Sequence, residues 1–421
     1  MYGWDTVYAI SSSEVNKVLA KNHDKTFQTL DYEDGPISMK GQFGPLSITP
    51  GGGGKLLRME FPITSGTFIS PGQPNADLTG VTLIADIELD LLPGDAQKKD
   101  LVFNMKKVAA DGATGPGIVT PINLLDPNNN LNSAQHSIVS GLLPNYLVSK
   151  APELTFVFAN VNFAKPSSDS WLTPVSADYV ILSTLGGDVY LAILAVTTSR
   201  SISGLKRIVD PGIISSSNNA GLFISSELFM KNVILPVIPR VYSGTSSSDF
   251  QYNSSSGTIT NVRPFGMPSV KSGAITYHPE VNSLTVSLQG GNLVTSLSGS
   301  VDLKAGINMT FSEGVTNRSQ FNATNQQLIF LEDNSPSSDH HVSVPWYFVG
   351  GAVIALAIAN IVASIIASSI NNTLNDRAKV TISDSLAPSV QWSGTTPIAF
   401  NTAGLDGLLY LQGTLKEGSA T

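Results

Sequence analysis

Residues 345–370 read PWYFVGGAVIALAIANIVASIIASSI, and no Asp, Glu, Lys or Arg occurs between residues 342 and 375. About 20 apolar residues suffice to cross a bilayer, so such a stretch spans a membrane, lies inside a protein or faces a lipid. We favour a helix embedded in protein, one face of which carries Ile354, Ile358, Ile361 and Ile365. At about 1.5 Å per residue this helix would be on the order of 40 Å long and would need an equally long cover.

Two features of this stretch argue against a transmembrane helix. Polar side chains recur at spacings of three and four and would form one stripe on a helix: Asn360, Ser364, Ser368, Asn371 and Asn375. The nearest basic residues are Arg318 and Arg377, so the flanking asymmetry of Lys and Arg that orients an inserted helix is missing. A membrane-inserting component, with the polar stripe lining a pore, is therefore the minor alternative.

The composition excludes several classes of protein. The chain of 421 residues is long enough for two domains of usual size or one elongated body. It contains no Cys, which excludes disulfides, thiol catalysis and Cys-ligated metal sites. Charged residues make up only 13%, against about a quarter in ordinary soluble domains, a pattern common in extended β proteins. The net charge of -8, without a basic run, predicts no nucleic-acid partner.

Most of the chain alternates apolar and polar residues with a period of two, which predicts antiparallel strands. The predicted strands are residues 37–43 with 57–61 across the glycines at 51–54, residues 81–91 with 101–108, residues 179–185 with 189–196, and residues 301–311. The last run is about twice as long as a usual strand. Strands of this length predict a large, curved sheet.

Four segments have helical spacing instead: residues 11–19, 133–147, 219–237 and 345–375. The Ser-rich segment 198–219 is the most linker-like part and divides the chain nearly in half. We therefore expect an α+β fold of two modules. Residues 1–200 would form a curved antiparallel sheet with two short helices, and residues 201–421 a curved sheet that wraps the long helix.

A helix that is apolar over most of its circumference needs cover on several sides. A sheet of long strands can provide this cover only by curling around the helix. If the sheet does not close, helix and sheet leave an apolar groove that suits an acyl chain. The residues expected to line this groove are Ile354, Ile358, Ile361, Ile365, Leu228 and Phe229.

No motif of a known catalytic or cofactor site is recognisable. The sequence lacks HExxH, GxSxG and a phosphate-binding GxxxxGK[ST], so we predict no enzyme, no cofactor and no metal. Asp86, Glu88 and Asp90 alternate on one strand and are interpreted as an exposed face, because no partner base can be named. His340 and His341 are interpreted as part of a solvated loop.

Two lysine pairs occur near the two ends of the predicted strand 101–108. Lys98, Lys99, Lys106 and Lys107 are candidates for contact with an anionic head group, where each basic residue contributes about 1 kcal/mol. Peripheral membrane contact follows from this interpretation. The alternative, which the acidic balance of the chain favours, is an ordinary solvated rim.

Three segments carry a resemblance to a known family: YGWDTVYAISSSEVNKVL at 2–19, GQFGPLSITPGGGGKLLRMEFPITSG at 41–66 and LFISSELFMKNVILPVIPR at 222–240. They resemble the forty-seven-kilodalton accessory proteins encoded beside botulinum neurotoxin in OrfX-type gene clusters. That family resembles the TULIP (tubular lipid-binding) proteins, in which a highly curved antiparallel sheet wraps a long helix and the interior holds lipid tails. The resemblance implies a TULIP-like fold and a non-enzymatic accessory role.

We therefore expect a lipid-binding accessory protein of a bacterial toxin gene cluster, with a lipid or fatty acyl ligand. The alternative is a structural or assembly protein with a sealed core, which would bind other proteins of the toxin cluster, since fold alone does not establish function. The sequence begins without a classical signal peptide. We expect a soluble protein of the bacterial cytoplasm, and any release would follow a non-classical route.

Overall fold

The computed structural model describes residues 1–94, 97–164, 171–184, 187–210, 214, 217–242, 244–272, 274–303, 308–342, 357, 360–361, 389–395 and 398–415. These residues form two compact units. The first unit takes its residues from Met1–Gly221, Ala387–Ala399 and Gly413–Thr421, and the second from Leu222–Leu386 and Phe400–Gln412. The expected division into modules 1–200 and 201–421 stays a prediction.

The elements of the described residues are as follows in chain order. The first thirteen strands are β1 Thr6–Ser11, β2 Thr29–Asp34, β3 Ile37–Phe43, β4 Ser47–Gly53, β5 Leu56–Ile69, β6 Ala76–Asp77, β7 Thr82–Pro93, β8 Lys98–Asn104, β9 Lys107–Val108, β10 Ile118–Leu125, β11 Val157–Asn162, β12 Ser176–Ser183 and β13 Val189–Val196. The others are β14 Ala220–Ser225, β15 Phe250–Asn253, β16 Thr258–Asn261, β17 Phe265–Gly266, β18 Val270–Ser272, β19 Ile275–Tyr277, β20 Glu280–Gln289, β21 Asn292–Asp302, β22 Asn308–Asn322, β23 Gln327–Phe330, β24 Ser337–Val342, β25 Val390–Trp392, β26 Ala399–Leu405 and β27 Leu408–Thr414. The helices are α1 Ser12–Lys21, α2 Ser133–Lys150, α3 Ser226–Phe229 and α4 Ile238–Val241, with a π-helix at Met230–Ile234 and 3-10 turns at His23–Lys25, Ala151–Glu153 and Ser247–Asp249.

In the described part of the first unit, eleven strands form one sheet. Its main order is β2-β3-β5-β7-β8-β11-β25, while β4 and β6 also pair with β5, β10 pairs with β7, and β9 pairs with β10. The pairs are antiparallel except β9 with β10. Strands β12, β13 and β1 pair antiparallel in that order, and every residue of β13 is buried.

In the described part of the second unit, eight strands form one sheet. Its main order is β15-β16-β20-β21-β22-β23, with β17 pairing to β20 and β24 pairing to β22. β22 is 15 residues long and runs antiparallel to β21 from Asn308 to Arg318. The expectation of long antiparallel strands is confirmed, because β22 with its 15 residues is longer than a usual strand of about 3–10 residues.

The predicted helix at 11–19 is confirmed as α1. The hydroxyl of Ser11 caps it by accepting from the amide of Glu14, and Val15, Val18 and Leu19 form its buried face. The predicted helix at 133–147 is confirmed as α2, whose cap Asn132 forms a reciprocal capping box with Gln135.

The predicted helix at 219–237 is wrong over its first third. Ala220–Ser225 is a strand, and the helical residues begin only at Ser226. All of residues 220–224 are buried, so this run has no polar face from which a helical period could be recognised.

The predicted strand 301–311 is also wrong, because it contains the connection between two strands. β21 ends at Asp302 and β22 begins at Asn308. Val301 and Met309 lie directly opposite each other in the antiparallel pair, and both are buried. The alternation of apolar and polar residues therefore continues across the connection. For this reason the sequence pattern does not reveal where β21 ends and β22 begins.

Residues 57–61, the predicted partner of 37–43, do lie in a strand, but they do not pair with 37–43. β3 pairs with the far half of β5, with Met39 opposite Phe68. The hairpin across the glycines at 51–54 is formed by β4 with β5. The other two predicted hairpins are confirmed, as β7 with β8 and β12 with β13.

The fold class is confirmed in its antiparallel sheets and corrected in its helix content, because the described residues are mostly β with few helices. The long helix lies almost wholly outside the described residues. Within 345–375 only Ala357, Asn360 and Ile361 are described; their backbone is helical, and Ile361 is half-buried. That a sheet wraps this helix stays a prediction.

The interpretation of Asp86, Glu88 and Asp90 as an exposed face is wrong for the first two. Asp86 and Glu88 are buried, and Asp90 is half-buried. The second face of β7 is covered within the first unit, where the hydroxyl of Tyr179 on β12 accepts from the amide of Leu89 at 2.8 Å. Burial is the main reason that the pKa of Glu88 is raised.

Candidate functional site

The predicted acyl-chain residues are only partly within the described structure. Leu228 and Phe229 lie on α3 in the second unit and are 7% and 0% exposed. Ile354, Ile358 and Ile365 lie outside the described residues, and Ile361 is half-buried. The described residues therefore place two of the six side chains in an interior, and the groove that would join all six stays a prediction.

The predicted head-group lysines form two separate pairs. Lys98 and Lys99 begin β8, whereas Lys106 and Lys107 follow its other end, and all four side chains are exposed. The strand between them is on the order of 20 Å long. Lys99 lies over the ring of Phe163, with its ammonium 5.4 Å from the ring centroid. A single head group cannot contact both pairs at once.

Residues 226–241, which we call the helical cover, are an interrupted helix. The Ser225 hydroxyl caps the first turn by accepting from the amide of Leu228 at 3.3 Å. The amide of Leu235 then donates to the carbonyl of Met230 at 2.8 Å, which is the wider spacing of a π-helix. Pro236 and Pro239 have no amide hydrogen to donate, so a regular helix cannot continue through them.

A small cavity lies between the helical cover and the sheet of the second unit. It is lined by Ile234, Val237, Ile238, Val241, Tyr242, Val286 and Thr295. Its volume of ≈ 10 Å³ is about the space of one water molecule. The lining is aliphatic except for Tyr242 and Thr295, whose hydroxyl groups both lack a hydrogen-bond partner.

The ring of Tyr242 is held by two other aromatic side chains. Its centroid lies 4.7 Å from that of Phe265 and 6.3 Å from that of Phe250, and these two rings are themselves 5.4 Å apart. Such a cluster fixes the direction of the hydroxyl group. Burial raises the pKa of Tyr242, so the hydroxyl keeps its proton and can donate a hydrogen bond.

Polar side chains also occur on the buried face of β21 and β22. Thr295, Glu313 and Asn317, which we call the polar row, are 0%, 2% and 0% exposed. Thr295 lies opposite Val315, between the other two, which are about 13 Å apart along β22. Thr295 is therefore a diagonal neighbour of both Glu313 and Asn317, and such neighbours are about 7–8 Å apart in an antiparallel pair.

Each member of the polar row keeps one oxygen without a partner: Oγ1 of Thr295, Oε2 of Glu313 and Oδ1 of Asn317. The other polar atoms of the two longer side chains are bonded. Oε1 of Glu313 accepts from the Ser338 hydroxyl at 3.0 Å, and Nδ2 of Asn317 donates to the carbonyl of Leu331 at 3.0 Å. These bonds fix which oxygen points into the interior. An unpaired buried polar group costs about 1–3 kcal/mol.

Burial raises the pKa of Glu313 to about 7, while the Ser338 hydrogen bond lowers it by less. No Lys or Arg occurs among the described residues of the buried faces of β20, β21 and β22. Without a cation beside it, the carboxyl group is held largely in its neutral form below neutral pH.

The sequence interpretation missed the polar row because it ended the alternation at residue 311. Continued by two-residue steps from Phe311, the same alternation reaches Glu313, Val315 and Asn317, all on the buried face. A carboxylate and an amide at inward positions of a strand are the signal that could have found them.

The described residues contain no group of three or more His, Asp or Glu placed to hold a metal ion. His340 and His341 lie on β24, opposite Phe311 and Thr310, so the predicted loop is instead a strand. Within the same residues no helix combines the length and hydropathy needed to cross a bilayer, and most of 345–370 lies outside them.

Comparisons with known proteins show what this chain is similar to. The family model OrfX-like, described as "Protein OrfX2/OrfX3/P47", matches residues 1–390. Protein P47 of Clostridium botulinum (strain Kyoto / Type A2) is 29% identical over 377 residues, which cover 85% of this chain and 86% of that protein. Protein OrfX3 of Paraclostridium bifermentans is 23% identical over 348 residues, which cover 72% of this chain and 69% of that protein.

Two solved structures are similar along nearly the whole chain. The structure of P47 from Clostridium botulinum A2 matches with a TM-score of 0.76 and 27% identity, covering 98% of this chain and 97% of that one. The crystal structure of P47 of Clostridium botulinum E1 matches with a TM-score of 0.74 and 25% identity, covering 99% and 100%.

Proposed function

Because the chain belongs to the OrfX-like family of P47, OrfX2 and OrfX3 proteins, we propose that it is a non-enzymatic accessory protein of a bacterial toxin gene cluster. In this proposal its second unit binds the acyl chain of a lipid between the helical cover and the sheet. The predicted contacts are Leu228 and Phe229 together with Ile354, Ile358, Ile361 and Ile365 of the apolar stretch.

The observation that carries this proposal is the cavity under the helical cover. Its aliphatic walls suit a methylene chain, and its position next to an interrupted helix suits a cover that can shift. Helical pieces of four or five residues have little stability of their own and depend on their packing against the sheet.

An acyl chain needs more room than the cavity has, so the helical cover must move outward as the chain enters. The loss of packing would be offset by about 0.8 kcal/mol for each methylene group removed from water. For an acyl chain of common length, the summed gain from these methylene groups exceeds the stability of a single helical turn. Lys98 with Lys99, or Lys106 with Lys107, would add a weak attraction to a membrane surface.

Mass spectrometry of the purified chain, in its native state and after extraction with organic solvent, tests this proposal. We expect lipid in stoichiometric amount in the wild-type protein and its loss in Ile238→Gln, which places an amide on the cavity wall. Val262→Gln is the matched control, since Val262 is 57% exposed in the same unit. Lipid in neither preparation, with no binding to liposomes, would overturn the proposal.

The small volume of the cavity favours a second function. At ≈ 10 Å³ the interior of the described residues is nearly sealed at this point, as expected for a structural or assembly protein. Such a protein would bind other proteins of the toxin cluster through its surface. In that case Ile238→Gln and Val262→Gln would purify with the same partners, and the extract would contain no lipid.

A further inference from the structure

We propose that the polar row and Tyr242 bind an uncharged polyhydroxyl head group in the interior of the second unit. This inference rests on the proposed lipid-binding function and names the chemistry of the polar end of the ligand. Its basis is a set of four side chains, Tyr242, Thr295, Glu313 and Asn317, each at most 2% exposed and each with one unpaired oxygen.

A sealed apolar core has no use for these groups, because aliphatic side chains of similar volume would avoid the loss of hydration. The four groups are also oriented by their neighbours. Phe250 and Phe265 hold the ring of Tyr242, and the carbonyl of Leu331 holds the amide of Asn317. Oriented, unpaired groups in an interior are what a binding site offers to a ligand.

The four groups require a partner that both donates and accepts hydrogen bonds. The hydroxyl groups of Tyr242 and Thr295 each have a proton to donate. Oδ1 of Asn317 is an amide oxygen and can only accept, while the amide nitrogen of the same side chain already donates to the carbonyl of Leu331. A hydroxyl group is the common ligand group that satisfies both needs, because it donates one hydrogen bond and accepts others.

Charged head groups fit less well. A phosphate or carboxylate could accept from Tyr242 and Thr295, but it would meet Glu313 and the amide oxygen of Asn317 without any Lys or Arg on these buried faces. An ammonium group could donate to Glu313 and Asn317, but it would leave both hydroxyl donors unpaired. Each ion would also lose its hydration in this interior.

The spacing of the polar row indicates several hydroxyl groups instead of one. Glu313 and Asn317 are about 13 Å apart on β22, with Thr295 between them on β21. One hydroxyl reaches only a single member of the row, whereas glycerol or a sugar ring carries hydroxyl groups on opposite sides. Both the glycerol of a monoacylglycerol and the sugar of a glycolipid have this chemistry.

Binding of four ligands with the same chain length to the full protein tests the proposal: a monoacylglycerol, an alkyl glucoside, a fatty acid and an alkyl phosphate. Equilibrium dissociation constants are measured by native mass spectrometry at several ligand concentrations. We expect at least one hydroxyl-bearing ligand to bind about tenfold more tightly than the fatty acid or alkyl phosphate. The monoacylglycerol and glucoside arms distinguish the two sources of hydroxyl groups.

The same substitution on the two faces of the sheet provides a matched pair. Thr295→Val removes an inward hydroxyl at nearly constant volume. Thr316→Val removes an outward hydroxyl at an exposed position of β22. We expect Thr295→Val to raise the dissociation constant of the hydroxyl-bearing ligand about tenfold without changing that of the fatty acid. Thr316→Val should change neither. Because Thr295→Val removes an unpaired polar group, the variant should fold at least as well as the wild type.

Glycerol and methyl glucoside without a chain separate this inference from the proposed function. If every chain binds equally regardless of its head group, or Thr295→Val has no effect, the head-group site is overturned while lipid binding stands. If none of the four ligands with a hydrocarbon chain binds, but methyl glucoside or glycerol binds and Thr295→Val abolishes this binding, the polyhydroxyl site stands and the lipid function fails. If nothing binds, both are overturned.

Discussion

Arg58 and Asp86 lie directly opposite each other on β5 and β7 and form two parallel hydrogen bonds. Nε of Arg58 is 2.8 Å from Oδ1 of Asp86, and Nη2 is 2.9 Å from Oδ2. The side chain of Asp86 is 7% exposed and that of Arg58 is 27% exposed. The pair therefore joins the two central strands of the first unit at a site with little solvent screening.

Replacing only the acidic partner of this pair should destabilise the first unit. Asp86→Ala leaves the guanidinium of Arg58 half-buried without its partner, and we expect a loss of about 2–3 kcal/mol in the free energy of unfolding. Urea unfolding followed by tryptophan fluorescence measures it, since Trp4 and Trp392 are buried in this unit.

Two controls distinguish a buried charge from a general loss of packing. The double variant Arg58→Met/Asp86→Leu removes both charges and should recover most of the loss. Lys40→Gln breaks an exposed, solvent-screened ion pair with Glu33 and should change the stability little. An Asp86→Ala variant as stable as Lys40→Gln would contradict the prediction.

The hydroxyl of Tyr179 joins β12 to β7. It accepts from the amide of Leu89 at 2.8 Å and lies 3.0 Å from the carbonyl oxygens of Leu89 and Lys55. Tyr179→Phe leaves a buried amide unpaired, and we expect a loss of about 1–3 kcal/mol in urea unfolding.

Tyr32→Phe is the matched control for this substitution. Its hydroxyl is exposed and donates only a 3.5 Å hydrogen bond to Asp34, so its loss should change the stability little. Equal effects of the two variants would mean that the Tyr179 hydroxyl makes no special contribution.

The parts of the fold that could be predicted from the sequence are those with a local chemical signal. Ser11 marks the start of α1 because its hydroxyl caps the first turn, and Gly187, with φ of +88°, marks the hairpin of β12 and β13. Where such a signal is absent, the prediction fails. Residues 220–224 are all buried, and a continuous apolar run does not distinguish a strand from a helix.

The candidate site depends more strongly on pairing between distant strands. Leu228 and Phe229 could be predicted as buried from their apolar character, and the structure agrees. The polar row could not be assembled from the sequence, because Thr295 joins Glu313 and Asn317 only through the register of β21 and β22. That register is fixed by the alternation of both strands and by their connection, which the sequence interpretation placed inside a strand.

Gly299 on β21 is required because neighbouring strands approach it closely. A β-carbon there would overlap the carbonyl oxygen of Glu280 and lie 2.5 Å from Cζ of Phe311. Gly299→Ala would displace the Phe311 ring, and we expect a loss of about 1–3 kcal/mol in the second unit. Hydrogen exchange of peptides from β21 and β22 reports this loss.

Gly266→Ala is the control for Gly299→Ala, since an added β-carbon there meets nothing within 4 Å. Exchange rates in β21 and β22 should be unchanged in this variant. Faster exchange in both variants would show that the alanine acts through the backbone and not through the close approach at Gly299.

The stability of the second unit should depend on pH through Glu313. The pKa of this carboxyl is raised to about 7 in the folded chain from its ordinary value of 4.5, with burial as the main cause. Between these two values the folded state holds a proton that the unfolded state has released, so stability falls as pH rises through this window and levels off above about pH 7. The accumulated loss is on the order of 3 kcal/mol.

Glu313→Gln removes the titrating group and keeps the size of the side chain. We expect the variant to gain stability over the wild type progressively from pH 5 to pH 8, by about 2–3 kcal/mol at the upper end, because only the wild type must bury a charge there. Hydrogen exchange of β21 and β22 across this range, with Glu280→Gln at an exposed position of β20 as control, measures the difference. Parallel pH profiles of wild type and Glu313→Gln would mean that the carboxylate of Glu313 is hydrated or paired in the folded chain. Its Oε2 would then have a hydrogen-bond partner and would not be available to a ligand of the polar row.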